Sequence, residues 1–172
     1  MSLLDAVRSI LGIKPVKVGD LAATVSPSST ARRTTGSIAT AESIADIEVI
    51  PEYEQVRALL NAQAPLLFVT GGAGTGKSTL IRYLRHTLTS RTAVVAPTGV
   101  AALNAHGVTI HSLFRLPPKL IQPSDVKQVY DRQLYRKLDL LIVDEVSMVR
   151  PDILDGVERF LRLNRDSNTP FG

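Results

Sequence analysis

The chain has no cysteine, which excludes disulfides, thiolate metal centres and thiol nucleophiles, and suits a reducing compartment. It also lacks a long apolar run. Its 172 residues, 44% hydrophobic and 21% charged, have a soluble globular composition with material for one domain. The opening MSLLDAVRSILG is interrupted by Asp5 and Arg8, so it offers neither a continuous hydrophobic region nor a cleavage site. These absences predict an intracellular, cytoplasmic protein with no membrane partner. Acidic residues are missing over a longer stretch: no Asp or Glu occurs from Gln55 to Ser124, a window that carries Arg57, Lys77, Arg82, Arg85, Arg91, Arg115 and Lys119. Such a window favours anions, and a solvated basic face would have the same composition. The net charge of +4 is less informative, because residues 1–40, with Arg8, Lys14, Lys17, Arg32 and Arg33 against Asp5 and Asp20, supply most of it.

What is present divides the chain near residue 45. Residues 12–45 are rich in Ser, Thr, Ala and Gly and bury too little to offset chain entropy, which predicts a disordered linker. Before it, Leu3, Leu4, Val7, Ile10 and Leu11 share one face of a short amphipathic helix. The folded part is expected over 46–172. There a strand at Leu66–Val69 precedes a helix with Leu80, Ile81, Leu84 and Leu88 at helical spacing, and a second strand covers Ala93–Ala96. Ser124 is placed to cap a helix carrying Val126, Val129, Tyr130 and Leu134. A third strand follows at Leu140–Val143, and Pro151 opens a helix with Ile153, Leu154, Val157, Phe160 and Leu161 inward. Short apolar strands alternating with helices predict an α/β fold, a parallel sheet with helices on both faces.

The chemistry is expected at the carboxyl ends of those strands. GGAGTGKST, residues 71–79, fits G-x-x-x-x-G-K-[ST] with Gly71, Gly76, Lys77 and Ser78 in the fixed positions. Glycines let the backbone turn so that the N–H groups of Gly74, Thr75, Gly76, Lys77 and Ser78 face one concavity, a phosphate cradle that runs on to Thr79 at a helix start. In such a loop Lys77 reaches the β- and γ-phosphates of a nucleotide such as ATP, and the Ser78 hydroxyl is a Mg²⁺ ligand. Asp144-Glu145 ends the third strand in LDLLIVDEVSMV. An aspartate there can hold Mg²⁺ and a glutamate can deprotonate an attacking water, which together with Lys77 makes a catalytic set. By itself the pair would also suit a solvated acidic turn. No metal other than Mg²⁺ is expected.

VVAPTGVAALNAHGVTIHSLF, residues 94–114, contains two histidines and no acid. Taken with TGGAGTGKSTLI (70–81) and LLIVDEVSMV (140–149), it resembles the petite-integration-frequency (PIF) branch of superfamily 1B DNA helicases, with RecD-like helicases as the nearest alternative. The RecD-like segment begins TGRAA, where this sequence has TGVAALNAHG. The resemblance implies a RecA-like P-loop domain, ATP and Mg²⁺ as cofactors, and five-prime to three-prime movement on single-stranded DNA in repair, recombination or replication. It implies that Thr98, Gly99 and Val100 touch DNA phosphates with His111 and Ser112 nearby, a role open to hydroxyls, backbone N–H groups and an imidazole. His111 suits a DNA-side contact or a structural hydrogen bond equally. Gln55 resembles the glutamine that contacts adenine, and an ordinary helix-surface residue would fit there too.

The family pattern continues past PFG with a central strand and a second lobe that supplies arginines to the ATP site. The expectation is therefore an amino-terminal fragment with an incomplete sheet, weakly active by itself; a stand-alone P-loop regulatory module is the alternative.

Overall fold

The computed structural model describes residues 47–172 and the backbone of a two-residue strand, β1 (Val16–Lys17). The helix and linker expected elsewhere in 1–45 lie outside the described residues. The chain forms two compact units, Met1–Leu88 and Thr89–Gly172. No helix among the described residues is long and apolar enough to cross a membrane.

In the first unit, helix α1 (Pro51–Asn61) starts on Pro51, whose fixed φ and missing N–H suit a first turn, and Glu52 and Glu54 oppose the positive end of its dipole. It buries Tyr53 and Val56. Strand β2 (Val69–Thr70) pairs in parallel with β1, Val16 opposite Val69 and Lys17 opposite Thr70. It is shorter than the expected Leu66–Val69 because only two residues meet a partner. Helix α2 (Lys77–Thr87) then buries Leu80, Ile81 and Leu84 as their spacing predicts, and Tyr83 beside them. The rings of Tyr53 and Tyr83 lie 5.7 Å apart, joining the two helices.

The second unit holds β3 (Thr92–Ala96), α3 (Gly99–Asn104), β4 (Val108–Thr109), α4 (Ile110–Leu113), α5 (Gln133–Arg136), β5 (Leu140–Val143) and α6 (Pro151–Arg165). Its sheet has the order β4-β3-β5, with every pair parallel. Val95 of the central strand packs in a core with Ile110, Phe114, Tyr135, Val157, Phe160 and Leu161. Phe114 and Phe160 meet edge to face at 5.5 Å and are 0% and 1% exposed. Burial of each contributes on the order of 2–3 kcal/mol. β5 is an edge strand among the described residues, and all four of its apolar side chains are only half-buried.

The helix expected after Ser124 does not form as one element. Residues Pro123–Asp125 make a single 3₁₀ turn, Val126 is extended (φ −84°, ψ 117°), and only the four residues of α5 are helical. The reason lies in α6. Asn164, fully buried, accepts from the Val129 N–H at 2.8 Å and donates to the Lys127 carbonyl at 3.3 Å, so these backbone groups are satisfied outside a helix. Val126 and Val129 still reach the core, whereas Tyr130 and Leu134 face solvent and Tyr135 takes the inward place.

Candidate nucleotide site and DNA-contact segment

The glycine loop between β2 and α2 turns through two left-handed residues, Gly74 (φ 77°) and Gly76 (φ 85°), a conformation that any side chain would strain. Gly76 is also the N-cap of α2, and no side chain caps the helix start. The first-turn amides of Lys77, Ser78 and Thr79 are orphan donors of the kind that bind anions. The Lys77 ammonium donates to the carbonyls of Gly71 (2.8 Å) and Gly72 (2.6 Å), and the Thr75 hydroxyl donates to Gly72 O at 3.0 Å. Loop carbonyls thus accept the lysine protons. The Ser78 side chain is exposed at the same helix start. Gly71, Gly74, Thr75, Gly76, Lys77, Ser78 and Thr79 therefore lie in one continuous loop and helix start.

Gln55 is exposed on α1, two positions after a residue the sequence did not single out. Tyr53, 4% exposed, donates its hydroxyl to Gly76 O at 2.9 Å and ties α1 to the loop. A tyrosine on the inward face of a helix needs a partner for its hydroxyl, and that was the signal available.

In the second unit, Asp144 continues the β5 ladder by donating its N–H to Val95 O at 2.8 Å. Its carboxylate accepts the Glu145 N–H at 3.0 Å. Glu145 is exposed and left-handed at φ 51°, which costs a residue with a side chain on the order of 1 kcal/mol. Val95 pairs with Val143, so the acidic pair and Pro97-Thr98 leave the sheet at the same carboxyl edge.

Residues 94–114 are two capped helical turns on adjacent strands. Thr98 is the N-cap of α3 and accepts from Ala101 N–H at 3.2 Å; Thr109 is the N-cap of α4 and accepts from Ser112 N–H at 3.2 Å. Between them His106 is left-handed (φ 49°) and the Gly107 N–H returns to Ala102 O at 2.8 Å, a Schellman turn. Gly107 must lack a side chain, because a Cβ there would lie 2.3 Å from Val94 O. Ala96 pairs with Thr109, so Thr98 and His111 each lie two residues beyond a paired position. Ile110 and Phe114 are core, as expected, and His111 is half-buried. Thr98, Gly99 and Ser112 are exposed, as are Val100 (73%) and, unforeseen, Leu103 (75%).

The match to known proteins follows this arrangement. A family model described as PIF1-like helicase covers residues 48–172. The chain belongs to the PIF1-like helicase family. It is 41% identical to the ATP-dependent DNA helicase PIF1 of Emericella nidulans over 62% of this chain and 16% of that protein. It is 34% identical to the Pif1 of Bdellovibrio bacteriovorus over 83% of this chain and 34% of the relative. A Bacteroides Pif1 solved in complex with ADP-AlF4 superimposes with a TM-score of 0.68 at 44% identity, covering 74% of this chain and 30% of the other. The Bacteroides Pif1 solved bound to single-stranded DNA gives 0.67 at the same identity and coverage. The fold is accordingly the RecA-like α/β fold of P-loop Pif1 helicases. This PIF1-like chain spans about a sixth of the length of the Emericella relative and about a third of that of the Bdellovibrio one.

Proposed function

We propose that this PIF1-like chain binds Mg-ATP through residues 71–79 and, in the full-length protein, serves five-prime to three-prime movement along single-stranded DNA inside the cell, in repair, recombination or replication. The observation that carries the reading is the uncapped start of α2, where Gly74 and Gly76 hold the loop in left-handed turns beside the Lys77 ammonium. Phosphate oxygens replace the loop carbonyls as acceptors for Lys77, and the amides of Gly74 to Ser78 take the remaining charge. Ser78 is read as one Mg²⁺ ligand and Asp144 as another, since each offers a hard oxygen donor of the kind Mg²⁺ takes. When bound, the ion neutralises developing charge on the phosphates. Glu145 is the base for the attacking water, and its left-handed backbone is the kind of local strain that marks functional positions. Gln55 is read as the adenine contact. Thr98, Gly99, Val100, His111 and Ser112 are read as the single-strand contact, through backbone and hydroxyl groups that recognise phosphate without reading bases.

Nucleotide binding and DNA-stimulated hydrolysis test the reading together. Lys77→Ala is expected to abolish both, whereas Glu145→Gln keeps ATP affinity and lowers hydrolysis in the full-length protein by about 10²–10⁴-fold. Equal turnover by Lys77→Ala would sink the assignment. ATP binding that DNA never stimulates would favour a stand-alone regulatory module.

A further inference from the structure

We propose that Tyr53 is a positioning residue for the phosphate site: its hydroxyl, bound to the Gly76 carbonyl, sets the Gly76–Lys77 peptide plane so that the Lys77 N–H faces bound phosphate. This rests on the reading of residues 71–79 as a phosphate cradle. The Gly76 carbonyl accepts two bonds, from the Leu80 N–H at 2.8 Å within α2 and from Tyr53 Oη at 2.9 Å, so both of its lone pairs are engaged. A trans peptide places its C=O and N–H on opposite sides. Holding the oxygen toward α1 therefore holds the Lys77 N–H away from it. Gly76 needs this help more than an ordinary cap residue does, because at φ 85° with no side chain its flanking peptides have wide rotational freedom.

Tyr53 is itself held rigidly. Its ring is 4% exposed and packs against Tyr83 of α2 at 5.7 Å. The Tyr83 hydroxyl donates to Glu54, the residue after Tyr53, and Glu54 pairs in turn with Arg57. The fit is tight on the loop side as well, since a Cβ on Gly76 would stand 2.3 Å from Tyr53 Oη. Two hydroxyls thus join α1 and α2, and only that of Tyr53 touches the phosphate loop. Tyr83 supplies the control for a purely structural bond.

The experiment titrates the full 172-residue chain with magnesium tripolyphosphate and, separately, with Mg-ATP, by calorimetry, and records thermal unfolding of each variant. Tripolyphosphate isolates the cradle from any contact to a base. Tyr53→Phe is expected to weaken both ligands by the same factor, about threefold to tenfold for the loss of one hydrogen bond, while Tyr83→Phe leaves both affinities within about twofold of wild type. Unchanged tripolyphosphate affinity in Tyr53→Phe, with wild type binding normally, overturns the proposal and leaves the cradle intact. A loss confined to ATP also overturns it, because Tyr53 would then act through α1 and the base. Equal losses in the two variants, or failure of Tyr53→Phe to fold, would make the bond a structural one. Failure of wild type to bind either ligand would remove the cradle reading and this inference with it.

Discussion

At the end of β2 the chain enters α2 through Gly76, left-handed and without a side chain, so the helix amides stay open. At the end of β3 it enters α3 through Thr98, extended at φ −121° and ψ 157°, whose hydroxyl accepts from the Ala101 N–H. The two junctions occupy the same place in a strand-to-helix unit. Their difference shows how the cap residue sets what a helix start offers: a glycine leaves all the first-turn donors open, whereas the threonine's oxygen takes one of them, the Ala101 N–H, and leaves the Gly99 and Val100 amides and its own O–H. In the proposed function the first arrangement meets a compact polyphosphate and the second an extended backbone.

The same substitution at both junctions should have opposite consequences, and this is the largest effect the comparison predicts. Gly76→Ala forces a side chain into φ 85° and against Tyr53 Oη at 2.3 Å. The cost is about 1–3 kcal/mol of stability, and polyphosphate binding is expected to be lost. Gly99 lies in the first turn of α3, and a Cβ there meets nothing within 4 Å. Gly99→Ala is expected to stabilise by about 0.5–1 kcal/mol, since alanine gives up less chain entropy in a helix. If Gly99 approaches DNA phosphates as proposed, the added methyl weakens DNA binding in the same molecule that unfolds later. Urea midpoints and filter binding on the two variants check this, and destabilisation by both would erase the contrast.

Legibility followed the same division between backbone and side-chain chemistry. The glycine turn and the place of Asp144 after an apolar strand were readable because local residue types dictate them: glycines where φ is positive, an apolar run ahead of the aspartate; the caps formed by Thr98 and Thr109 were not foreseen. Ile153, Val157, Phe160 and Leu161 turned inward as their spacing required. What else escaped depends on partners distant in sequence. Asn164 reaches across to Lys127 and Val129 and replaces a helix that periodicity favoured. Tyr53 meets Gly76 only once α1 and α2 are packed together. Periodicity reports which side of a helix is apolar, but not which backbone group a buried polar side chain will claim.

A smaller effect separates the cap made by Thr98 from its proposed contact with DNA. Thr98→Ala removes the cap and is expected to cost about 1 kcal/mol of stability. Thr98→Asp keeps a capping oxygen and places negative charge at the positive end of the helix, so stability should stay within about 0.5 kcal/mol of wild type. Toward DNA the order reverses: the aspartate repels phosphate, and its single-strand affinity should fall well below that of the alanine variant, most strongly at low salt. If affinity instead tracks stability across both variants, Thr98 is a cap and nothing more, and residues 94–114 lose their strongest claim to contact DNA.

The smallest expected effect concerns a third kind of helix start, one with no side-chain cap and a charge in its first turn. Asp152 in the first turn of α6 accepts from the Arg150 guanidinium and from the Ile121 N–H, both of which hold its carboxyl well below the usual aspartate range. Asp166, past the end of α6, is lowered by Arg136 and Arg132, and Asp125 by Lys119 and the Gln122 N–H. A group whose folded pKa is depressed stabilises the fold fully above its unfolded pKa and loses that contribution as pH falls toward the folded value. For aspartate the loss begins near about pH 4. Urea midpoints should therefore show no dependence on these groups between about pH 5 and pH 7 and should decline below about pH 4. Asp152→Asn is expected to lower the midpoint at neutral pH and to flatten the acid limb, because it lacks the carboxylate whose protonation drives part of it. Solvent screens all three pairs, so added salt should shrink the difference between wild type and variant at neutral pH. A difference that is the same at pH 7 and at pH 3 would mean that the Ile121 N–H needs only an oxygen acceptor, neutral or charged, and the charge at this helix start would then count for no more than the threonine hydroxyl does at α3.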